Sequence, residues 1–166
     1  MTLNAQEYIP LEDLSFFKST GKTNWKLAKD ASADLSKKDI FTLTPGTGVL
    51  VNLPSEGNMS NLHSAKEYGD VDISFDFMMS AHSNSGFYLQ GRYEVQLLDS
   101  WGVLNPTTAD CGGIYQRFKQ GPPLVTYEGY APRVNACLAP GLWQHIDISF
   151  QAPRFDGNGK KISDAK

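Results

Sequence analysis

The sequence predicts an all-β fold in which two antiparallel sheets pack face to face as a β-sandwich of the jelly-roll kind. Apolar and polar residues alternate with a period of two in several segments, which is typical of strands with one buried face. Helical periodicity is scarce, and turn-forming residues are frequent, with 15 Gly and 9 Pro among 166 residues. This length fits a single domain that spans residues 1–166.

Short apolar segments mark the first third of the chain. Their composition predicts strands at residues 25–28, 41–44 and 48–52. The sequence Pro-Gly-Thr-Gly over residues 45–48 predicts a turn between the last two of these strands. Residues 12–17 fit either a short helical turn or a strand edge.

The strongest alternation occurs in residues 70–79 and again in residues 144–150. Each segment has one apolar and one polar face, so each predicts a half-buried strand of an antiparallel sheet. The side chains that we expect to face the core are Val71, Ile73, Phe75, Phe77 and Met79 in the first segment, and Ile146, Ile148 and Phe150 in the second.

A hairpin is predicted between these two segments. Residues 85–90 and 92–98 are rich in β-forming residues, and Gly91 joins them. Because glycine adopts positive φ without strain, Gly91 suits a tight turn, and we expect the two segments to be neighbouring strands. From Thr107 to Gly141, glycines and prolines predict mostly loops. Such loops are a common place for binding groups. The alternative, which stays open, is a sheet edge whose loops bind no ligand.

The charge balance excludes some function classes. The chain has 15 basic and 18 acidic residues, so its net charge is −3, and it offers no basic surface for a phosphate backbone. We therefore expect no nucleic-acid partner. No apolar run approaches the ~18 residues that a membrane-spanning helix needs, and the N-terminus lacks the pattern of a signal peptide.

The common catalytic and metal-binding motifs are missing from the sequence. There is no P-loop, HExxH or GxSxG pattern, and His63, His82 and His145 lie far apart, which favours surface or structural roles for them. His82 is the most interesting of the three because it precedes the predicted hairpin. Cys111 and Cys137 have no metal-ligand spacing, and a disulfide and two free thiols are equally open.

The second hairpin strand carries the most concentrated set of polar side chains. Alternation puts Arg92, Glu94 and Gln96 on one face, opposite Tyr93, Val95 and Leu97. Tyr88 and Gln90 of the preceding strand are expected on the same polar face. Such a face suits a hydroxyl-rich ligand, which needs planar hydrogen-bonding groups and an aromatic ring. A solvent-facing strand with an ion pair is the alternative.

A glycosidase with two catalytic carboxylates is not favoured. The segment from Glu94 to Asp99 is similar to a strand that carries the acids of sandwich-fold glycosidases, but Gln96 stands where that strand has its middle acid. Positions five apart on a regular strand point to opposite faces, so Asp99 needs a bulge to join Glu94.

Several segments in one order resemble the 3-keto-disaccharide hydrolase domain family. They are NSGFYLQGRYEVQLLDS at residues 84–100, DCGGIY at 110–115, YEGYAP at 127–132, PGLWQ at 140–144 and FQAPRFD at 150–156. The resemblance implies a concanavalin A-like sandwich and an exported protein, periplasmic or extracellular. It also implies cleavage of glycosides oxidised at C3, where the ketone acidifies the C2 proton. Such a reaction needs a base and a stabiliser for the enolate oxygen.

The resemblance also implies roles for single residues. Glu94 becomes the candidate base or metal-binding acid, and Arg92 the second catalytic candidate, which would hold the keto-sugar. The remaining candidates would bind substrate, and they are Asn84, Tyr88, Gln90, Gln96, Asp110, Tyr115 and Asn135. The alternative role for Asp110 and Asn135 is turn capping rather than substrate binding. No cofactor is certain, but sandwiches of this kind can carry a divalent cation such as calcium.

The C-terminal end departs from the family pattern. Family domains continue past the segment at residues 152–156 through an Asn-Gly hairpin and a last strand or two, whereas this chain ends at Lys166. We therefore expect a sandwich that lacks its last strands and is completed by a second polypeptide or a further C-terminal segment. The leading function is a sugar-active enzyme. The alternatives are a non-catalytic carbohydrate-binding module and a structural domain of the cell envelope.

Overall fold

The computed structural model describes residues 6–19, 23–53 and 60–166. Within these ranges the chain is all-β, with no helix, and so with none that is long and apolar enough to cross a membrane. Its strands are β1 (Phe17–Ser19), β2 (Trp25–Ala33), β3 (Phe41–Asn52), β4 (Leu62–Ser64), β5 (Val71–Phe77), β6 (Asn84–Leu89), β7 (Tyr93–Leu98), β8 (Arg117–Lys119), β9 (Val125–Tyr127), β10 (Gln144–Phe150), β11 (Arg154–Phe155) and β12 (Lys161–Ser163). The prediction of an all-β antiparallel fold is confirmed.

Contacts divide the chain into two compact units. The first consists of Met1–Ser32 and Thr42–Glu67, and the second of Ala33–Phe41 and Tyr68–Lys166. Each unit is described by itself, and the single domain over residues 1–166 stays a prediction.

Most of β1 to β4 belongs to the first unit, where β1 pairs antiparallel with β4, and β2 pairs with β3. The predicted turn at residues 45–48 is wrong, because β3 continues through it. Gly46, at φ 144°, lies so close to β2 that an added Cβ would be 2.7 Å from the Cβ of Lys29. Glycine lets the backbone pass there, so the strand does not break. Residues 12–16 form bends and a turn that lead into β1.

In the second unit, β5 and β10 form the antiparallel pair that their matching patterns suggest. Their register runs without interruption from Val71 opposite Phe150 to Phe77 opposite Gln144. The predicted bounds of β10 agree with the structure, and β5 ends two residues earlier than the alternation.

The β6–β7 hairpin packs on the apolar face of this pair. Phe87 stacks on Phe75 with ring centroids 5.1 Å apart, and the core continues through Leu89, Val95 and Phe150. The polar face of the hairpin points the other way. The two strand pairs therefore face each other across one apolar core, as in a β-sandwich.

The long glycine- and proline-rich region is mostly loop, as predicted, but part of it extends the hairpin sheet. Residues 112–115 run antiparallel to β7, with hydrogen bonds from the Gln96 N–H to the Gly113 carbonyl (2.8 Å) and from the Tyr115 N–H to the Glu94 carbonyl (2.9 Å). The β8–β9 hairpin that follows was not predicted from the sequence.

The last residues form a small hairpin of β11 and β12. The turn between them contains Asn158 and Gly159, and Gln151 exchanges backbone hydrogen bonds of 2.8 and 3.0 Å with Lys166. The Asn-Gly hairpin of the family pattern is thus present in this chain. That a further segment or a partner chain completes the sandwich stays a prediction.

Candidate functional site

The candidate site is the outer face of the β6–β7 hairpin. In the register of the two strands, Tyr88 lies opposite Glu94, and Gly86 lies opposite Gln96. Residues that face each other across an antiparallel pair share one face of the sheet, so these four positions form a continuous patch. The alternation of the sequence predicted this shared face for Tyr88, Glu94 and Gln96.

The central contact of the patch joins Tyr88 and Glu94. The Tyr88 hydroxyl donates a hydrogen bond of 2.6 Å to Oε2 of Glu94. Partial burial, and next the hydrogen bond to this carboxylate, raise the pKa of Tyr88 to about 12. At neutral pH Tyr88 is therefore a protonated donor that fixes one oxygen of Glu94.

Gly86 provides the space that the Glu94 side chain occupies. A Cβ at Gly86 would collide with Oε1 of Glu94 and would lie 2.9 Å from its Cγ. Any larger residue at this position would therefore displace the carboxylate. A glycine inside a strand often marks a place where another group approaches the backbone closely.

Gln96 adds a buried amide to the patch. The residue is 4% exposed, and the structure shows no hydrogen bond of its side chain to any described residue. Its backbone is held on both sides, because the Gly112 N–H also donates to the Gln96 carbonyl at 2.8 Å. The amide of Gln96 carries both a donor and an acceptor, which suit a ligand's polar group.

Tyr115 reaches the same patch from residues 112–115. Its N–H binds the Glu94 carbonyl, and its phenol is close enough to Tyr88 to influence the ionisation of that residue. Its ring is half-buried and packs against Phe118, with centroids 6.1 Å apart. Tyr115 thus joins Tyr88, Glu94 and Gln96.

Three predicted residues lie at the ends of the hairpin. Gln90 is in the turn, with φ 53°, and does not continue the strand face as expected. Arg92 follows in the same turn, exposed, and forms no ion pair with Glu94. Asn84 is exposed at the other end of β6, opposite Leu98.

The two remaining predicted residues brace loops. The buried carboxylate of Asp110 accepts hydrogen bonds from the N–H (2.6 Å) and hydroxyl (2.9 Å) of Thr107, which is the turn capping that we gave as an alternative. The Asn135 amide donates to the carbonyls of Ser100 (2.6 Å) and Val103 (3.0 Å). Oδ2 of Asp110 and the amide nitrogen of Asn135 are therefore occupied within the protein.

Asp99, just after β7, contacts His82 in the loop before β6. The Asp99 carboxylate accepts a hydrogen bond of 2.8 Å from the His82 N–H, at a backbone with φ 61°. This contact occupies one oxygen of Asp99 and gives His82 a backbone role in that loop. In the part of the chain that the structure describes, no group of three or more His, Cys, Asp or Glu residues could hold a metal ion.

A second polar cluster lies on the outer face of β5 and β10. His145 Nδ1 is 2.7 Å from Asp76, and Nε2 is 3.2 Å from Asp147 and 3.1 Å from Ser74. The hydrogen bonds to Asp76 and then Asp147 raise the pKa of His145. The sequence predicted these outward-facing side chains but not the strand pairing that brings them together.

Sequence reasoning missed the roles of Gly86 and Gln144. A glycine among β-forming residues was the available signal for Gly86. Gln144 has no such signal, because its contact with the Leu138 N–H depends on the path of the loop before β10.

Comparison with known proteins gives one family. The family model described as a 3-keto-alpha-glucoside-1,2-lyase-like domain matches residues 12–166. No curated protein and no solved structure matches the chain.

Proposed function

Because the chain belongs to the 3-keto-alpha-glucoside-1,2-lyase-like domain family, we propose that it cleaves the glycosidic bond of glycosides that carry a ketone at C3. One observation carries the proposal. Glu94 has Oε2 fixed by Tyr88 and Oε1 over Gly86, and the amide of Gln96 lies on the same face of β7. This arrangement offers an oriented carboxylate beside a hydrogen-bond donor, which the chemistry of a keto-sugar requires.

The reaction begins with proton transfer to Glu94. The C3 ketone acidifies the C2 proton, Oε1 of Glu94 accepts that proton, and the electrons of the C–H bond form an enolate. The enolate then expels the C1 substituent, the proton passes to the leaving oxygen, and the products are an unsaturated keto-sugar and an alcohol. Addition of water to the unsaturated product completes a net hydrolysis.

The neighbours of Glu94 take the supporting roles. Tyr88 stays protonated and orients the carboxylate, so that Oε1 is the oxygen left for the substrate. The Gln96 amide and the Tyr115 hydroxyl are our donors to the enolate oxygen, where negative charge develops. We assign Arg92, Gln90 and Asn84, at the two ends of the hairpin, to the rest of the substrate.

The decisive variant is Glu94→Gln, which keeps the shape of the side chain and removes the base. We expect turnover of a 3-keto-glucoside to fall by ~10²-fold or more. The matched control is Glu12→Gln, the same change at an exposed glutamate of the first unit, which should keep full activity. Thermal unfolding of both variants verifies the fold, and full turnover by Glu94→Gln would contradict the role of Glu94.

A carbohydrate-binding module without catalysis is the second candidate function. It is supported by the 48% exposure of Tyr88, which leaves a ring free to stack on a sugar. The same assay separates the two functions. Equal binding of plain and 3-keto sugars by the unmodified chain and by Glu94→Gln, with no product formed, would identify a binding module.

We also propose that the protein acts in the periplasm or outside the cell, as family resemblance suggests. Fractionation of cells that express the native gene tests this placement. Recovery with cytoplasmic markers alone would contradict it.

A further inference from the structure

Two thiols meet in the second unit, away from the proposed catalytic carboxylate. Cys111 and Cys137 are 26 positions apart in the sequence, and their side chains are hydrogen-bonded to each other. Both are free cysteines; Cys111 is buried and Cys137 is half-exposed. The Cys137 thiol also donates to the carbonyls of Leu98 (3.5 Å), at the end of β7, and Leu138 (3.4 Å).

Hydrogen bonds of the two backbone N–H groups hold the cysteines close to each other. The Cys111 N–H donates to Oγ of Ser100 (3.2 Å), and the Ser100 hydroxyl donates to Oδ1 of Asn135 (3.3 Å). The same Oδ1 accepts the Cys137 N–H at 3.1 Å. Both cysteines are therefore anchored to one pair of hydrogen-bonded side chains, which keeps their sulfurs together.

Gln144 presents a donor without a partner toward this pair. Its Oε1 accepts the Leu138 N–H at 3.1 Å, while its Nε2 is buried and has no hydrogen-bond acceptor among the described residues. The Gln144 side chain is one of the smaller causes that lower the pKa of Cys137. A Cys137 thiolate would supply an acceptor for this buried N–H, which is costly to leave unpaired.

The pKa values of the two thiols are shifted in opposite directions. The hydrogen bond from the Cys111 thiol is the main cause that lowers the pKa of Cys137, with smaller contributions from Ser100 and Gln144. The same hydrogen bond, and then burial, raise the pKa of Cys111. One thiol is therefore the nucleophile, and the other keeps its proton until the first has reacted.

We propose that Cys137 and Cys111 form a redox-active dithiol that exchanges with small disulfides. The Cys137 thiolate attacks one sulfur of the small disulfide, forms a mixed disulfide and releases one thiolate. Cys111 then loses its proton and attacks the Cys137 sulfur, which forms the Cys111–Cys137 disulfide and releases the second thiol. The two cysteines are oxidised, and the small disulfide is reduced to two thiols. The inference does not depend on the proposed function.

The first test uses the unmodified chain and oxidised glutathione. After full reduction and incubation with the disulfide, we expect an intact mass lower by two hydrogens and no bound glutathione. Trypsin cuts between the cysteines, at Arg117, Lys119 and Arg133, so a digest without reductant should contain the two cysteine peptides joined. Two thiols that both still react with iodoacetamide after the incubation would overturn the proposal.

Single variants test the order of the two steps. Cys111→Ser should accumulate glutathione on Cys137, whereas Cys137→Ser should take up glutathione at least ~10-fold more slowly. Equal rates for the two variants would overturn the assignment of the nucleophile.

A third variant tests the donor. Gln144→Glu keeps Oε1 but replaces the Nε2 donor by a negative charge, so alkylation of Cys137 in the Cys111→Ser background should slow several-fold. Gln151→Glu, the same change at the exposed residue just after β10, is the matched control and should react at the unchanged rate. An unchanged rate in Gln144→Glu as well would remove the role of the amide.

Discussion

At the scale of single residues, Glu94 shows how neighbours decide what a carboxylate can do. Tyr88 holds one oxygen and Gly86 leaves space for the other, so the side chain has one defined position with one free acceptor. The exposed carboxylates of β5, such as Asp72, have no comparable enclosure. An oriented acceptor next to donors suits proton transfer better than an open acidic surface does.

The space at Gly86 can be tested directly. Gly86→Ala puts a methyl group where Oε1 and Cγ of Glu94 lie, so the carboxylate must move. We expect turnover of a 3-keto-glucoside to fall on the order of 10²-fold, because a displacement of about 1 Å can have that effect. Unfolding free energy should fall by about 1–3 kcal/mol.

The control for Gly86→Ala is Gly69→Ala. Gly69 is exposed, has open space where a Cβ would be, and does not require a left-handed backbone. It should keep both activity and stability. Normal turnover in Gly86→Ala would show that the position of the Glu94 carboxylate does not matter to catalysis.

Residue-level prediction from sequence worked where a strand is regular. Alternation alone brought Tyr88, Glu94 and Gln96 to one face. It failed for Gln90, because the chain turns one residue earlier than the β-rich segment ends. It also could not show that Oδ2 of Asp110 and the amide of Asn135 are occupied, since hydrogen-bond partners are a property of loop geometry.

At the scale of elements, the accuracy of the strand predictions follows from burial. The amphipathic segments that became β5, β6, β7 and β10 were found with bounds within two residues. The short strands β4, β8, β9, β11 and β12 have two or three residues each, too few for a periodic signal, and were missed. The Pro-Gly sequence in β3 was misread because contact with Lys29 of β2, rather than the local turn preference, decides its conformation.

The pairing of β5 with β10 makes a prediction about His145. Because hydrogen bonds to Asp76 and Asp147 favour the charged imidazolium, its pKa is above the ordinary value near 6.5. The stability that this raised pKa contributes is fully present below that ordinary value and is lost as pH rises through the raised one. Asp76→Asn removes the largest cause, so an NMR titration should show a lower pKa for His145.

Asp72→Asn is the control for this strand pair. Asp72 lies on the same face of β5 but opposite Ser149, four pairs away from the one formed by Asp76 and His145. The titration of His145 should hardly change in this variant. If Asp76→Asn left the titration unchanged as well, the Asp76–His145 contact would not exist in solution.

At the scale of the whole molecule, one ion pair ties the last hairpin to the first strand of the second unit. Arg154, at the start of β11, binds Asp70 just before β5 through both of its terminal nitrogens, at 2.9 and 2.5 Å. Asp70 also accepts the Ala152 N–H at 2.9 Å. Residues 84 positions apart are thereby joined. Sequence patterns gave no sign of this contact, because the alternation over residues 70–79 assigns a face to Asp70 but not a partner.

This contact predicts how the stability of the molecule depends on acid. The hydrogen bonds from Arg154 and then from the Ala152 N–H lower the pKa of Asp70 from 3.8 to about 2. A lowered pKa contributes stability that is present above the unfolded value and is lost as pH falls toward the folded one, here between about pH 4 and pH 2. In urea unfolding, Asp70→Asn should therefore be less stable than the unmodified chain at neutral pH, and the difference should shrink across that window.

Asp72→Asn, which removes an exposed carboxylate without an ion pair, should show no such window. A difference between Asp70→Asn and the unmodified chain that stayed constant from neutral pH to pH 2 would mean that the Asp70–Arg154 contact does not stabilise the fold.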